Sequence, residues 1–262
     1  MLKTITRTIL YNLFKLDLSP IDYNVGWGLR DEESHLFLWG EKTADLFRSK
    51  QSVSVVGNIL MDNLYNRYSK NQRDQKLLNE LGLDQNRITV LLSAQCIKDD
   101  ENNQLVDWYI QLAKKSNRFN IIVKIHPRDD SDIFKIIKDF QNVQVIQNQY
   151  SFKDLLKIGD INISHYSATS MDAILYGLPV ILLPSSVLKD KRLQLDYWFD
   201  PEIFFTANSI EECIDSLDRV LEKIKNESYQ IAREKFIIKM FSNHVGNSKV
   251  MAMKKINEIL NS

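Results

Sequence analysis

Three hydroxyl side chains stand where one helix of this sequence is expected to begin. Ser167, Thr169 and Ser170 belong to the stretch SHYSATSMDAILYGLPVI, residues 164–181. Unpaired backbone N–H groups and the helix dipole favour an anion at such a terminus. The pattern therefore predicts an anion site, with the phosphate of a nucleotide-activated sugar as the preferred occupant. The alternative is that Ser167 only caps the helix.

The same stretch marks the end of that helix and carries one carboxylate. Gly177 suits the left-handed conformation that ends a helix, and Pro179 prevents its continuation. A helix is therefore predicted over residues 168–176, with one strand before it and another after it. Asp172 is expected in its first turn, within reach of whatever extends from the bound anion.

A histidine follows another predicted strand, which covers residues 120–125. His126 precedes Pro127, and proline stops a strand because it has no backbone donor. A histidine at that position could donate to a phosphate, act as an acid near neutral pH, or only cap a loop carbonyl. Lys124, in the same strand, is a further candidate for binding phosphate.

A third polar group follows the strand predicted at residues 88–94. It contains Ser93 and Gln95. Ligands of an open parallel sheet bind beyond the carboxyl ends of its strands, so these two side chains are expected to line the same cleft as the hydroxyl groups. His165 directly precedes the hydroxyl residues. A structural role and a role in the site are equally compatible with its position.

The segments that must position these residues alternate between strands and helices. Apolar runs rich in β-branched residues are typical of buried strands. Because single helices separate them, the crossovers are expected to be right-handed and the strands parallel. The predicted fold class is therefore α/β, with a doubly wound, Rossmann-like parallel sheet. The strands are predicted at residues 35–40, 52–57, 88–94, 120–125, 143–147, 161–166, 179–183 and 203–206.

Helices are predicted from capping signals and apolar spacing. Ser151 with Asp154, and Ser209 with Glu212, have the spacing of capping boxes. A stripe at i, i+3, i+4 and i+7 predicts a further helix that begins after Asp132. That stripe consists of Ile133, Ile136, Ile137 and Phe140. The remaining helices are expected at residues 1–16, 42–48, 62–81 and 229–261.

Composition limits the classes of function. Among the 262 residues, 34 lysines and arginines balance 34 aspartates and glutamates, so the net charge is zero. Nucleic-acid-binding proteins usually have a basic surplus, so no nucleic-acid partner is expected. Cys96 and Cys213 lack partners at metal-ligand spacing, so neither a metal site nor a disulfide is expected, and the cytosol is the expected compartment. Walker A and G-x-G-x-x-G motifs do not occur, and no cofactor is expected besides a nucleotide-activated substrate.

The first fifty residues are too few for a second α/β domain. Residues 1–50 are therefore expected to be the remnant of an N-terminal domain or an extension of the main domain, residues 51–262. Residues 1–16 mix basic and apolar side chains, which allows either a helix on a membrane surface or packing on the rest of the protein. No stretch approaches the ~18 uncharged apolar residues of a membrane-spanning helix.

Three motifs taken together resemble a known family. VVGNILMD at residues 55–62, KIHP at residues 124–127 and the stretch at residues 164–181 resemble the C-terminal, donor-binding half of GT-B glycosyltransferases. The likeness is strongest to bacterial polysialyltransferases and CDP-glycerol glycerophosphotransferases. UDP-N-acetylglucosamine 2-epimerases are similar at a greater distance. The resemblance covers roughly residues 36–255.

The resemblance implies a transferase that binds a nucleotide-activated sugar or polyol for the synthesis of a surface polysaccharide such as a capsule. Such enzymes commonly work without a metal ion, because oriented donor groups compensate the charge of the departing phosphate. His126 would contact the donor phosphate or support departure of the leaving group. Ser167, Thr169 and Ser170 would hold phosphate. Asp172 would take the place of an acidic residue that often meets the ribose.

Two departures from the family's pattern bear on the activity. Ile59 stands where relatives often have proline, and no counterpart is recognised of the N-terminal acceptor domain that carries the catalytic base. The resemblance therefore implies a need for such a domain or for a separate subunit, a glycan or lipid-linked acceptor, and a place in the cytoplasm or at the inner face of the membrane. Two alternatives stay open: a non-catalytic donor-binding or assembly subunit, and an enzyme like the UDP-sugar 2-epimerases.

Overall fold

The computed structural model describes most of the chain. The described residues are 16–17, 35–45, 52–68, 73–94, 99–115, 118–126, 133–165, 167–183 and 199–261. Most of the helix predicted at residues 1–16 therefore lies outside the described residues.

The described elements are named here in chain order. The strands are β1 (Leu16–Asp17), β2 (His35–Leu38), β3 (Ser52–Val55), β4 (Ile88–Ser93), β5 (Phe119–Lys124), β6 (Val143–Ile146), β7 (Ile161–Ser164), β8 (Val180–Leu182) and β9 (Phe204–Thr206). The α-helices are α1 (Glu41–Ala44), α2 (Asp62–Tyr68), α3 (Gln75–Glu80), α4 (Asp99–Lys115), α5 (Phe152–Leu155), α6 (Ala168–Tyr176), α7 (Ile210–Lys223), α8 (Glu227–Phe241) and α9 (Ser248–Leu260).

The chain folds into two compact units. One consists of Met1–Asn66 and Glu234–Ser262, and the other of Arg67–Arg233. The division after residue 50, with residues 51–262 in one domain, stays a prediction. Within the first unit, Asp62 at the start of α2 accepts hydrogen bonds from the backbone N–H groups of Gly246, just before α9, and Lys249, in its first turn. What residues 1–50 represent stays a prediction.

The second unit is built on a six-stranded parallel sheet in the order β6-β5-β4-β7-β8-β9. The first strand of this sheet, β4, lies in its centre. The next strands, β5 and β6, are added on one side of β4, and β7, β8 and β9 follow on the other side. This doubly wound arrangement confirms the predicted fold class. β5 and β7 are buried along their whole length, and β4 is buried except at its first residue, as is typical of a parallel sheet covered on both faces.

Helix α6 begins and ends where its local sequence predicts. The Ser167 hydroxyl accepts a hydrogen bond from the backbone N–H of Thr169 at 3.3 Å and so caps the helix. Gly177 ends it in the left-handed conformation, with φ of 97°. The bounds predicted at residues 168–176 are therefore confirmed. Residues 170–175 are all buried, so α6 lies inside the unit and not on its surface.

The helix starts predicted at Ser151 and Ser209 are also found. The Ser151 hydroxyl accepts from the backbone N–H of Asp154 at 3.2 Å and donates to its carboxylate at 2.6 Å. The Ser209 hydroxyl accepts from the N–H of Glu212 at 3.1 Å, and the Glu212 carboxylate accepts from the N–H of Asn208 at 2.7 Å. These contacts start α5 and α7, respectively.

The segment Ile133–Ile137 differs from its prediction, because it is a 3₁₀ helix and not an α-helix. The predicted buried stripe included Ile136, whose side chain is 62% exposed. Phe134 and Ile137 are buried instead, and Phe140 is partly buried. These buried side chains repeat every three residues, which is the period of a 3₁₀ helix. The prediction was wrong because it assigned the apolar residues to a period of 3.6.

The first unit contains a three-stranded parallel sheet in the order β1-β2-β3. The VVGNILMD motif covers the end of β3 and the turn into α2. Gly57 has φ of 83°, and a Cβ atom there would lie 2.3 Å from the hydroxyl of Ser248. The Asn58 side chain accepts from the backbone N–H of Leu60 at 3.0 Å. Packing and turn geometry therefore account for the glycine and the asparagine of this motif.

Within the described ranges, no helix combines the length and the apolar content that crossing a bilayer requires.

Candidate functional site

The last residues of three central strands lie side by side in the second unit. Ser93 of β4 pairs with Lys124 of β5 on one side and with Ser164 of β7 on the other. The strand order reverses between β4 and β7, and ligands of doubly wound sheets bind at the carboxyl edge beside that reversal. This edge is the candidate site.

Hydroxyl groups connect the end of β7 to the start of α6. The Ser164 and Ser170 hydroxyl oxygens lie 2.7 Å apart, and the Ser164 hydroxyl donates to the carbonyl of His165 at 2.7 Å. The Ser170 side chain is buried, and its hydroxyl already forms a hydrogen bond with the Ser164 hydroxyl inside the unit. Binding of phosphate by Ser170 stays a prediction. It would require either the backbone N–H of Ser170 or a different side-chain conformation.

Ser167 and Thr169 lie at the exposed side of the same helix terminus. Both are half-buried, and the Thr169 hydroxyl donates to the Ser167 hydroxyl at 2.9 Å. The capping role of Ser167 is present in the structure, and it leaves both hydroxyl groups within reach of the surface. Binding of an anion by these two side chains stays a prediction.

Asp172 is the fifth residue of α6 and not a residue of its first turn, which contains no acidic side chain. The expectation of a first-turn carboxylate was therefore wrong. The side chain is buried, and its Oδ1 atom has no hydrogen-bond partner among the described residues. Burial raises the pKa of Asp172 to about 6, although the charge of Lys153 acts in the opposite direction. A carboxylate held in this way is typical of a functional site, because it is costly to keep without a ligand.

The Lys124 amine is buried at the carboxyl end of β5. It donates to the carbonyl of Ile125 at 3.1 Å and to the carbonyl of Gln147, which follows β6. Burial lowers the pKa of this amine. Lys124 therefore joins the ends of two neighbouring strands, and its predicted role in binding phosphate stays a prediction.

Ser93 is buried, and its hydroxyl accepts from the side-chain amide of Asn162 at 2.8 Å. Asn162 also donates to the carbonyl of Leu91 at 3.1 Å, so it bridges β4 and β7 at the reversal of strand order. Asn162 was not predicted as a site residue. An asparagine between two isoleucines in a buried strand was the available signal.

His126 comes two residues after the end of β5, at the same edge of the sheet, and is half-buried. Gln95 lies outside the described residues. Of the eight predicted site residues, the structure therefore places seven at the carboxyl edge or in α6 beside it. Among the described side chains, no three histidine, cysteine, aspartate or glutamate residues come close enough to hold a metal ion.

The family model for CDP-Glycerol:Poly(glycerophosphate) glycerophosphotransferase matches residues 41–256. The chain belongs to this family. The resemblance to CDP-glycerol glycerophosphotransferases is thereby confirmed. Comparison with curated proteins finds no match.

Solved structures of family-like and related proteins share the fold. The Wall Teichoic Acid Polymerase TagF superposes with a TM-score of 0.59 at 19% identity, over 86% of this chain and 59% of that chain. The UDP-GlcNAc 2-epimerase from Neisseria meningitidis, bound to UDP-GlcNAc, superposes with a TM-score of 0.54 at 20% identity, over 87% of this chain and 61% of that chain. These matches support a GT-B-like fold, and the chain spans about three fifths of the length of either protein.

Proposed function

We propose that this glycerophosphotransferase-family chain binds a CDP-activated polyol phosphate, such as CDP-glycerol, and takes part in its transfer to a growing surface polymer. The donor would bind at the carboxyl edge of β4 and β7, against the N-terminus of α6. Membership of the family supports the class of donor, since the family's description names both CDP-glycerol and poly(glycerophosphate). One structure of TagF was obtained after soaking with CDPG.

Asp172 is the single observation that carries the proposal. It combines burial, an Oδ1 atom without a partner among the described residues, and a raised pKa, four residues after Ala168 begins α6. The N–H groups and hydroxyls at that end of the helix suit a phosphate. An acceptor oxygen deeper in the helix suits a hydroxyl or amino group of the same ligand. A nucleotide diphosphate ester carries both kinds of group.

The chemistry follows from the group that the family transfers. A hydroxyl group at the end of the acceptor attacks the phosphorus atom that carries the glycerol, the pyrophosphate bond breaks, and CMP leaves. The leaving phosphate gains negative charge, which the start of α6, with Ser167 and Thr169, would stabilise. His126 would donate a hydrogen bond or a proton to it. The proton of the attacking hydroxyl would pass to a base on an acceptor-binding domain or on a separate subunit.

The acceptor and the setting are parts of the same proposal. A glycan or lipid-linked polymer is the acceptor, and synthesis of a capsule or of a wall polymer is the process. A lipid-linked acceptor favours a place in the cytoplasm at the inner face of the membrane. The description of TagF as a wall teichoic acid polymerase supports a polymer of the bacterial surface.

Calorimetric titration tests the donor site. The chain is titrated with CDP-glycerol, CDP, CMP, UDP and UDP-GlcNAc, and we expect saturable binding of the cytidine nucleotides. Asp172→Asn is expected to weaken binding of CDP-glycerol about tenfold, which corresponds to the loss of one hydrogen bond to a charged group. Ser209→Ala is the matched control, because it removes a helix cap at the edge strand β9, two strands from β7.

Three outcomes would contradict the proposal. Failure of the parent chain to bind any cytidine nucleotide would remove the donor site. Tighter binding of UDP-GlcNAc than of CDP-glycerol would favour an epimerase-like enzyme. Binding of CDP-glycerol without release of CMP, in mixtures that contain poly(glycerophosphate) and a candidate acceptor-binding subunit, would favour a non-catalytic donor-binding subunit.

A further inference from the structure

A fully buried guanidinium lies at the other end of α6, away from the hydroxyl groups. Arg233, on α8, is 1% exposed and has the largest fully buried side chain among the described residues. Removing a positive charge from water is costly unless the protein supplies oriented acceptors in exchange. The contacts of this side chain therefore indicate what its burial achieves.

Two carbonyl groups in the last turn of α6 accept hydrogen bonds from Arg233. Its Nε atom donates to the carbonyl of Ile174 at 2.9 Å, and its Nη2 atom donates to the carbonyl of Leu175 at 2.9 Å. Carbonyl groups at a helix C-terminus lack partners within the helix and form the negative end of its dipole. The planar guanidinium makes the two bonds in fixed directions, which a flexible ammonium group does not.

The anchors of α6 lie at both of its ends. At the C-terminus, the Ile174 carbonyl accepts from the N–H of Gly177 at 3.1 Å in addition to Arg233. Near the N-terminus, the Ser170 hydroxyl lies 2.7 Å from the Ser164 hydroxyl of β7. The helix is about 13 Å long, and the fixed rise per residue of an α-helix makes it move along its axis as one body. A shift of its last turn therefore displaces its first turn.

We infer that Arg233 is a positioning residue for the phosphate of the donor. By holding the last turn of α6, it sets the axial position of the helix, and with it the N–H groups and hydroxyls of Ser167 and Thr169 at the opposite end. The inference rests on the proposed function for the identity of the ligand. The effect on the helix itself is measurable without any ligand.

Arg73 provides a matched control. Its guanidinium also donates to backbone carbonyls, those of Gln85 at 3.1 Å and Arg87 at 3.0 Å, and to the carboxylate of Asp160 at 3.0 Å. These acceptors lie around the amino ends of β4 and β7, at the edge of the sheet opposite to the candidate site. A lysine at either arginine position keeps the positive charge but removes the planar guanidinium, which makes its hydrogen bonds in fixed directions.

The experiment compares Arg233→Lys with Arg73→Lys in the full chain. Hydrogen exchange at the amides of residues 168–170 is measured without ligand, and CDP affinity is measured by calorimetry. Arg233→Lys is expected to accelerate exchange at these amides relative to Arg73→Lys and to weaken CDP binding about tenfold. Arg73→Lys is expected to lower the unfolding midpoint while keeping the CDP affinity of the parent.

The outcomes separate this inference from the proposed function. If the parent does not bind CDP, the proposed function fails and the amide exchange alone decides the role of Arg233. If Arg233→Lys matches Arg73→Lys in exchange at residues 168–170, or binds CDP like a binding-competent parent, the inference is overturned. Should Arg233→Lys not fold, Arg233→Gln, whose amide can still donate to one carbonyl, takes its place. Failure of both to fold would show that Arg233 serves stability alone and would overturn the inference.

Discussion

Two buried aspartates, one in each unit, have opposite surroundings. Asp62 and Asp172 are both 8% exposed; Asp62 is the first residue of α2, and Asp172 is the central residue of α6. The Asp62 carboxylate accepts three hydrogen bonds, from the N–H of Gly246 at 2.9 Å, the hydroxyl of Ser248 at 2.6 Å and the N–H of Lys249 at 3.2 Å. The Oδ1 atom of Asp172 has no partner among the described residues.

The contrast separates a structural carboxylate from a candidate functional one. Asn247, at the N-cap of α9, makes no side-chain capping bond, so Asp62 caps that helix from a distant part of the chain. Its burial stabilises the fold. Burial of Asp172 raises its pKa to about 6 and disfavours its charged form. Equal burial therefore says little about function, whereas the completeness of the hydrogen bonding says much.

The largest expected effect is on the satisfied carboxylate. Asp62→Ala leaves two backbone N–H groups and one hydroxyl without their acceptor, so the free energy of unfolding should fall by about 3 kcal/mol. Urea unfolding measures it. Asp74→Ala is the control, since Asp74 caps α3 through one bond to the N–H of Leu77 and should cost about 1 kcal/mol. Equal losses in the two variants would contradict the structural importance given to Asp62.

The second effect has the opposite sign and depends on pH. The raised pKa lets the folded protein keep the Asp172 proton up to a pH of about 6, whereas the unfolded chain loses it near the ordinary aspartate pKa of 3.8. The parent therefore loses stability as pH rises through this window, and Asp172→Asn does not. The variant should match the parent near pH 4 and exceed it by on the order of 2–3 kcal/mol at pH 7.

Asp160→Asn is the control for that pH dependence. Burial also raises the pKa of Asp160, but its carboxylate accepts from the N–H of Thr89 at 2.7 Å and from Arg73 at 3.0 Å. Its replacement should therefore destabilise the protein at neutral pH. Thermal unfolding between pH 4 and pH 8 checks both variants. An Asp172→Asn protein less stable than the parent at pH 7 would show that the carboxylate has a partner in solution.

Substitution of two glycines tests how tightly the chain packs around Asp62. Gly57 and Gly82 both have positive φ, of 83° and 65°, but only Gly57 faces a neighbour where a Cβ atom would lie. Gly82→Ala should cost about 1 kcal/mol of backbone strain. Gly57→Ala should cost about 2–3 kcal/mol, because its methyl group would displace Ser248 from Asp62 as well. Chemical denaturation of both variants measures the difference, and equal losses would mean that Ser248 adjusts freely.

The smallest effect concerns two helix caps. Ser167→Ala and Ser209→Ala each remove a hydroxyl that accepts from a backbone N–H, at 3.3 Å and 3.1 Å, so each should cost about 1 kcal/mol of stability. Only Ser167→Ala is expected to weaken CDP binding, by about threefold. Calorimetry on the pair measures this difference. If the two variants bind CDP equally well, Ser167 is a cap and nothing more.

Elements with local signals could be predicted, and their ends most reliably. Ser167 and Gly177 bound α6 as expected, because capping depends on residues a few positions apart. The segment around Phe134 was assigned the wrong helix type, since short apolar runs fit a period of 3.0 as well as 3.6. The sequence predicted only that the strands are parallel and the sheet doubly wound. The order of the strands, with β7 beside β4, came from the structure.

The sequence by itself determined the alternation of strands and helices, the caps, and the place of the hydroxyl residues at a helix terminus, because each of these depends on neighbours along the chain. Only the tertiary structure decided which polar groups are satisfied. Asp62 meets its donors 184 to 187 positions further along the chain, and Arg233 reaches the end of α6 across 58 and 59 positions. The Oδ1 atom of Asp172 has no hydrogen-bond partner among the described residues. Side-chain partners at these separations depend on packing, and packing leaves no local pattern in the sequence.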